Sequence, residues 1–116
     1  MSGIVFFRTT MLDKLRAFYT EILDCTVWLE QVDCCILQHG NMLFGFCSRD
    51  EADTRLLLTF FYEDREKVDR LYEIMKETAD ARPRYNEKYF IYHFGAKDPE
   101  GRPLEFQQFD HPLEPY

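Results

Sequence analysis

The stretch Tyr89–Phe109, YFIYHFGAKDPEGRPLEFQQF, decides the fold of this chain. At its centre, residues 98–101 (DPEG) predict a type I turn, because Asp favours the first turn position, Pro fixes φ at the second and Gly suits the fourth. The flanking residues alternate in character and are rich in aromatic and branched types. They predict antiparallel strands over about residues 89–96 and 103–109, joined as a hairpin.

Glu105 lies in the second of these strands between two large apolar residues. Because successive strand side chains point to opposite faces, its carboxylate lies on the face opposite to the side chains of those neighbours. A plain four-residue turn would pair Phe94 with Glu105 and put His93 on the other face. A bulge next to Pro103 would instead bring His93 towards Glu105. The residues alone leave these two registers open.

The rest of the chain reads as two similar halves, each with a strand, a helix and three further strands. The other predicted strands lie at about residues 4–8, 26–31, 34–38, 42–47, 56–62 and around Arg84. One helix begins at a Thr10 cap and ends near Asp24, and Asp64 caps the second. Phe18 and Leu71 hold corresponding helical places 53 positions apart. An internal duplication explains this pattern and predicts an α+β fold with helices on one face of mostly antiparallel sheets.

The chain of 116 residues has the length of a single domain. We predict a first module over about residues 1–50, a second over about 55–110 and an irregular tail over 110–116. The polar run Ser48–Arg55 is the expected joint between the modules.

The formal net charge of −7 argues against a nucleic-acid partner, because binding phosphate needs clustered Lys and Arg. An acidic domain favours cationic ligands. No apolar run approaches the ~20 residues of a membrane span, and the first residues do not form a signal peptide. We therefore expect a cytoplasmic protein with no membrane partner.

The four cysteines lack zinc-site spacing and make a poor disulfide framework. Cys34 and Cys35 are adjacent on a predicted strand, so they would face opposite sides. We predict that Cys25, Cys34, Cys35 and Cys47 are reduced thiols, most of them in the core. Nothing in the sequence argues for a redox role.

The βαβββ repeat, the helix containing FY followed by EIL at residues 18–23, and the closing DPEGRPLEF at 98–106 resemble the vicinal oxygen chelate superfamily. Its members include glyoxalase I, bleomycin resistance proteins, fosfomycin resistance enzymes and extradiol dioxygenases. The resemblance implies two modules that curl their sheets into a cup, usually completed in a homodimer. It also implies a divalent metal in the cup of the enzymes, with Glu105 at the place of the fourth ligand.

The three other ligand positions that the resemblance implies fall near Ile4, Gly45 and Leu57, which cannot bind a metal. Such cations need three or more suitable protein ligands. We therefore predict no metal and no cofactor. A divalent metal at a site rebuilt from a histidine such as His93 is the alternative.

On the register that the resemblance implies, the cup has an apolar and aromatic lining with a few polar groups. Its lining residues would be Ile4, Phe6, Arg8, Leu43, Gly45, Cys47, Leu57, Thr59, Phe61, Tyr92, Glu105 and Gln107. Such a lining is the usual design of a small-molecule site, and we predict that Phe6, Arg8, Cys47, Thr59, Phe61, Tyr92, Glu105 and Gln107 bind the ligand. Alternatively, the aromatic residues simply fill the cup and Glu105 forms a structural ion pair with Arg8.

We expect a metal-free binding protein of the glyoxalase/bleomycin-resistance type for an aromatic or cationic compound, because aromatic faces attract cations. The alternative is a lyase, isomerase or dioxygenase-like enzyme of the same superfamily. In that enzyme Glu105 would be the general base or a metal ligand, and Arg8 or Tyr92 would polarise a carbonyl. An interaction module without a ligand is a third hypothesis. The homodimer could use the exposed apolar segments at residues 27–29 or 6–7.

Overall fold

The computed structural model describes residues 1–116, which form eight strands and two helices. The elements are β1 (Val5–Thr9), α1 (Leu12–Ala17, continued by a π-helical turn Phe18–Ile22), β2 (Thr26–Glu30), β3 (Cys34–His39), β4 (Met42–Ser48), β5 (Leu58–Tyr62), α2 (Arg65–Met75), β6 (Arg84–Asn86), β7 (Ile91–Lys97) and β8 (Pro103–Phe109). Residues 110–116 form no helix or strand. Neither helix has the length and apolar character needed to cross a membrane.

The chain divides into two compact units. The first contains Met1–Leu56 and Asp98–Arg102, and the second contains Leu57–Lys97 and Pro103–Tyr116. Each unit has one four-stranded sheet, in the order β1-β4-β3-β2 or β5-β8-β7-β6. In both sheets the first strand of the unit runs parallel to the last, and the other pairs are antiparallel. The predicted α+β fold of two βαβββ modules is confirmed.

The first strands of the two units are related by the offset of 53 positions that the sequence predicts, whereas the last strands are 60 positions apart. Val5 is aligned with Phe44, and Leu58, 53 positions after Val5, is aligned with Leu104. Phe6 beside Gly45 in the first unit therefore corresponds to Thr59 beside Glu105 in the second.

In the first unit, α1 packs one face on the sheet. Leu15, Tyr19 and Leu23 are buried, and the Tyr19 ring lies 5.5 Å from the ring of Phe44 and 5.1 Å from that of Phe46. The predicted Thr10 cap is wrong, because Met11 holds the cap position without a side-chain hydrogen bond. The Thr10 hydroxyl donates instead to Glu100 at 3.0 Å.

In the second unit, α2 begins as predicted. The side chain of Asp64 accepts a 2.9 Å hydrogen bond from the backbone N–H of Lys67, which satisfies a free donor of the first turn. Val68, Leu71 and Met75 are buried, and the ring of Tyr72 meets that of Phe94 edge to face at 5.5 Å. The face of β7 and β8 that carries Phe94 is therefore the helix side of this sheet.

The hairpin turn contains one residue more than a plain four-residue turn. Gly101 donates its N–H to the carbonyl of Asp98 at 2.9 Å, which confirms a four-residue turn at the predicted residues. Gly101 then adopts φ +87°, a left-handed conformation that glycine takes without strain, and Asp98 pairs with Arg102. A type I turn followed by a glycine bulge is a common hairpin connection. Its extra residue aligns Glu105 with Gly95 instead of Phe94.

The contacts of Arg102 join the turn to the rest of the first unit. Its side chain is fully buried and donates to Asp98 Oδ2 at 2.7 Å and Glu100 Oε1 at 3.0 Å. It also donates to the backbone carbonyls of Asp53 at 2.8 Å and Arg8 at 3.3 Å. Burial raises the pKa of Glu100, but hydrogen bonds from Thr9, Thr10 and Arg102 outweigh this effect and leave the pKa lowered.

The prediction of four reduced cysteines is wrong for two of them. Cys34 and Cys47 form a disulfide between neighbouring positions of β3 and β4, whereas Cys25 and Cys35 are free and buried. Burial raises the pKa of Cys25 to about 12, so this thiol stays protonated at neutral pH. Spacing along the sequence does not show the pairing, because strand register brings the two cysteines together.

Candidate functional site

The second sheet presents a polar face on the side away from α2, and Glu105 is at its centre. Thr59 on β5 and Gly95 on β7 are its aligned neighbours. The Thr59 hydroxyl donates to Oε1 of Glu105 at 3.4 Å. His93 is aligned with Gln107, and both lie on the same face as Glu105.

His93 is the closest titratable neighbour of Glu105. Its Nδ1 lies 3.3 Å from Oε2 of Glu105, and the two side chains are 12% and 23% exposed. The Nδ1 atom is buried and makes no hydrogen bond. We therefore describe the pair as an electrostatic contact between a mostly buried imidazole and a mostly buried carboxylate.

A cavity of about 280 Å³ opens beside this pair. We call it the Glu105 cavity. Its lining residues are Leu57, Thr78, Asp80, Arg84, His93, Gly95, Ala96, Lys97, Pro103, Leu104 and Glu105.

Asp80 lies over Gly95 in this cavity. It accepts a 2.9 Å hydrogen bond from the Gly95 N–H, and a Cβ at Gly95 would come within 2.9 Å of its Oδ2. Arg84 donates to both oxygens of Asp80, at 3.0 and 3.2 Å, which lowers the pKa of Asp80. Asp80 and Arg84 thus neutralise each other. Glu105, by contrast, has polar side-chain contacts only with Thr59 and His93.

The residues around Glu105 do not fit a divalent metal. Glu105 and His93 supply two donors, and the chain contains no cluster of three His, Cys, Asp or Glu side chains that could hold such an ion. A protein site for these cations needs at least three ligands of suitable type.

The predicted residues of the first unit lie in a cavity of that unit. Phe6, Arg8 and Cys47 line about 430 Å³ together with Phe7, Gln31, Cys34 and Arg49. Gly45 holds the position that corresponds to Glu105. A Cβ there would come within 2.7 Å of the Phe6 ring, so this ring fills the space that a side chain at Gly45 would need. The first unit therefore has no carboxylate at the position that corresponds to Glu105.

Arg8 has two ion-pair partners within the first unit, Asp53 at 2.8 Å and Glu51 at 3.0 Å. The alternative ion pair between Arg8 and Glu105 stays a prediction. The hydrogen bond to Asp53 is the main cause of a raised Arg8 pKa. The prediction from the sequence did not consider Glu51 and Asp53, the two carboxylates that follow β4.

Tyr92 is on the opposite face from the one predicted, because the Gly101 bulge shifts the register by one residue. Its hydroxyl donates to Asp69 at 2.6 Å, and the guanidinium of Arg65 lies over its ring at 4.7 Å. His93 takes the place on the polar face that was expected for Tyr92.

Phe61 and Gln107 are on the predicted face but outside the lining of the Glu105 cavity. Phe61 lies against the end of β8 and the tail, with its ring 5.4 Å from that of Phe109 and 5.7 Å from that of Tyr116. Gln107 is buried between the strands that carry Phe61 and His93. The role of both residues in ligand binding stays a prediction.

The sequence reasoning missed Asp80 and Arg84. The signal that could have found them is Gly95, a lone glycine inside a strand of large residues. Such a glycine often marks a place where another group approaches the backbone closely.

Solved structures with similar folds share little sequence with this chain. A glyoxalase/bleomycin resistance protein/dioxygenase family enzyme from Burkholderia phytofirmans PsJN has a TM-score of 0.78 at 19% identity, with 90% of this chain and 95% of that chain covered. A lactoylglutathione lyase from Agrobacterium tumefaciens has a TM-score of 0.72 at 15% identity, with 93% of this chain and 92% of that chain covered. A glyoxalase/bleomycin resistance protein/dioxygenase from Alicyclobacillus acidocaldarius has a TM-score of 0.72 at 19% identity, with 96% of this chain and 92% of that chain covered. No protein-family model and no curated protein sequence matches the chain. The fold is thus that of the glyoxalase/bleomycin resistance/dioxygenase proteins, as the resemblance predicts.

Proposed function

We propose that this protein binds a small cationic or aromatic compound, without a metal, in the Glu105 cavity. The observation that carries the proposal is the Glu105 carboxylate, whose side chain is 23% exposed and lines a cavity of about 280 Å³. A carboxylate in such partial burial attracts a cation or a strong hydrogen-bond donor more strongly than one in open water. Leu57 and Pro103 supply apolar wall, which suits the ring or alkyl part of a small ligand.

The contact between His93 and Glu105 favours a second candidate function. A carboxylate and an imidazole 3.3 Å apart can accept and pass on a proton, which a lyase or isomerase needs from a general base. The two functions make different demands on Glu105, because a binder uses its charge and an enzyme uses its proton affinity.

The test is thermal unfolding of metal-stripped protein with benzylamine, benzyl alcohol or benzoate, which share a ring and differ in charge. A compound at about ten times its Kd stabilises the folded state by roughly 1.4 kcal/mol. We expect the largest rise in Tm with benzylamine, a smaller one with benzyl alcohol and none with benzoate. Equal shifts for all three compounds would contradict the proposal, because they would show that the Glu105 charge does not select the ligand. No shift with any of them would support an interaction module without a ligand.

We expect the purified, untagged protein to retain less than about 0.1 divalent ion per chain after incubation with Zn²⁺, Ni²⁺, Mn²⁺ or Fe²⁺ and desalting, because two donors bind such ions weakly. Elemental analysis measures this ratio. Retention of about one ion per chain, lost in Glu105→Gln, would reject the metal-free proposal.

The homodimer and the cytoplasmic location stay predictions. Val27, Trp28 and Leu29 on the edge strand β2 are 42%, 50% and 46% exposed, which leaves apolar surface for a second copy of the chain.

A further inference from the structure

The cavity of the first unit has a disulfide in its wall. Cys34 and Cys47 are aligned on β3 and β4 with their Cα atoms 4.1 Å apart, and both line the 430 Å³ space together with Phe6, Phe7, Arg8, Gln31 and Arg49. The two cysteines are only 7% and 8% exposed. A small solute in the cavity would lie beside the two cysteines, whereas a folded protein reductant is too large to enter it.

The two strands do not need the disulfide to stay paired. β3 and β4 are aligned over Cys34–His39, and the N–H of Ser48 donates to the carbonyl of Asp33 at 2.8 Å beyond the cysteine pair. Backbone hydrogen bonds therefore join the strands on both sides of the disulfide. Reduction of the bond should leave the sheet intact.

The charges around the two sulfur atoms are unequal. Arg8 is the aligned neighbour of Cys47 on β1, and Oδ1 of Asp33 lies 3.5 Å from Sγ of Cys34. A nearby cation stabilises a thiolate and a nearby carboxylate opposes one. Each group is partly neutralised, since Arg8 pairs with Asp53 and Glu51 and Asp33 pairs with Arg49. The remaining asymmetry makes Cys47 the better leaving thiolate.

We propose that the Cys34–Cys47 disulfide is an exchange site for low-molecular-weight thiols. A thiolate RS⁻ attacks Sγ of Cys34, and the S–S bond breaks with its electron pair going to Sγ of Cys47. The products are a mixed disulfide on Cys34 and a thiolate at Cys47. A second RS⁻ attacks the small-molecule sulfur and releases RSSR with a Cys34 thiolate. Two small thiols are oxidised as the protein disulfide is reduced, and the protons that they lose to solvent return to the two cysteines.

The first test is reduction of the oxidised native protein with 2-mercaptoethanol, followed by alkylation and mass spectrometry. We expect a rate proportional to the thiolate concentration and unchanged by urea below the unfolding transition. We also expect it to be at least roughly tenfold faster than reduction by an equal concentration of a thioredoxin-type protein dithiol, because access to the sulfur controls exchange. A rate that levels off at the rate of global unfolding would overturn the proposal.

The second test locates the mixed disulfide by peptide mapping after rapid acid quenching. We expect adduct on Cys34 to exceed adduct on Cys47 roughly tenfold, and Arg8→Gln to slow reduction roughly threefold to tenfold. Asp33→Asn should make the amounts of adduct on Cys34 and Cys47 more nearly equal. This variant gives an independent check if Arg8→Gln folds poorly. The matched control is Arg55→Gln, an exposed arginine outside the cavity, which should change neither value. Equal adducts in the unmodified protein would overturn the assigned direction of attack.

Discussion

Arg102→Gln should lower the free energy of unfolding by about 3–5 kcal/mol, the usual cost of removing one partner from a buried ion pair. The Arg102 side chain is fully buried, and Asp98 is 4% exposed. A glutamine cannot reach all the groups that now accept from the guanidinium, so the carboxylate of Asp98 would stay buried without its counter-ion. The loss would be a large part of the 5–15 kcal/mol that typically stabilises a folded domain.

The surroundings of Arg102 explain why the effect should be large. Asp98 also accepts hydrogen bonds from the Tyr19 hydroxyl at 2.7 Å and from two backbone N–H groups of the turn. The guanidinium carbon lies 5.0 Å from the ring centre of Phe46, which adds a cation–π contact within the core. Removal of the guanidinium therefore disturbs the turn, the α1 residue Tyr19 and the sheet of the first unit together.

Urea unfolding followed by circular dichroism measures this change. Arg49→Gln is the matched control, because Arg49 pairs with Asp33 at the surface, where the two side chains are 46% and 55% exposed. An exposed pair contributes about 0–1 kcal/mol. If the two variants lost the same small amount, the buried network would not hold the turn as we describe.

The sequence predicts most of the fold because its signals are local. The DPEG turn, the Asp64 cap and the apolar periodicity of α2 each depend on residues within one turn or one helix. The duplication adds a second line of evidence, since the same offset of 53 positions relates the two helices and the first strands of the two units. The π-helical turn at Phe18–Ile22 gave no such signal, because its residues also fit a regular α-helix.

The register of the hairpin shows where local reasoning stops. DPEG indicates a turn, but it does not tell whether Gly101 ends the turn or adds a bulge. That single residue decides whether His93 or Tyr92 shares a face with Glu105. The observed register is the one with a bulge, which the residues left open. The assignment of Tyr92 to the face of Glu105 was made with the other register and is wrong.

Contacts between distant positions were the least predictable. Asp80 reaches the site through the loop after α2, and the Cys34–Cys47 disulfide depends on the alignment of two strands. Neither contact leaves a spacing pattern in the sequence. Glu105, by contrast, was found because the DPEG turn and the two strand residues beside it fix its face.

Glu105→Gln should weaken benzylamine binding by roughly ten- to a hundredfold, because a charge-assisted hydrogen bond contributes about 1.5–3 kcal/mol. Glutamine keeps the shape of the side chain and can still accept from the Thr59 hydroxyl, so the cavity should keep its form. Binding of benzyl alcohol should change less than about threefold. The difference between the two ligands isolates the contribution of the Glu105 charge.

Isothermal titration calorimetry on metal-stripped protein gives both Kd values, and Glu66→Gln is the control, because Glu66 is an exposed carboxylate in the first turn of α2. An unchanged benzylamine Kd in Glu105→Gln would show that another group recognises the cation. If a substrate is found and Glu105→Gln instead lowers its turnover by roughly two to four orders of magnitude, Glu105 acts as a general base. The carboxylate would then serve proton transfer, and its contact with His93 would be part of the reaction rather than of ligand recognition.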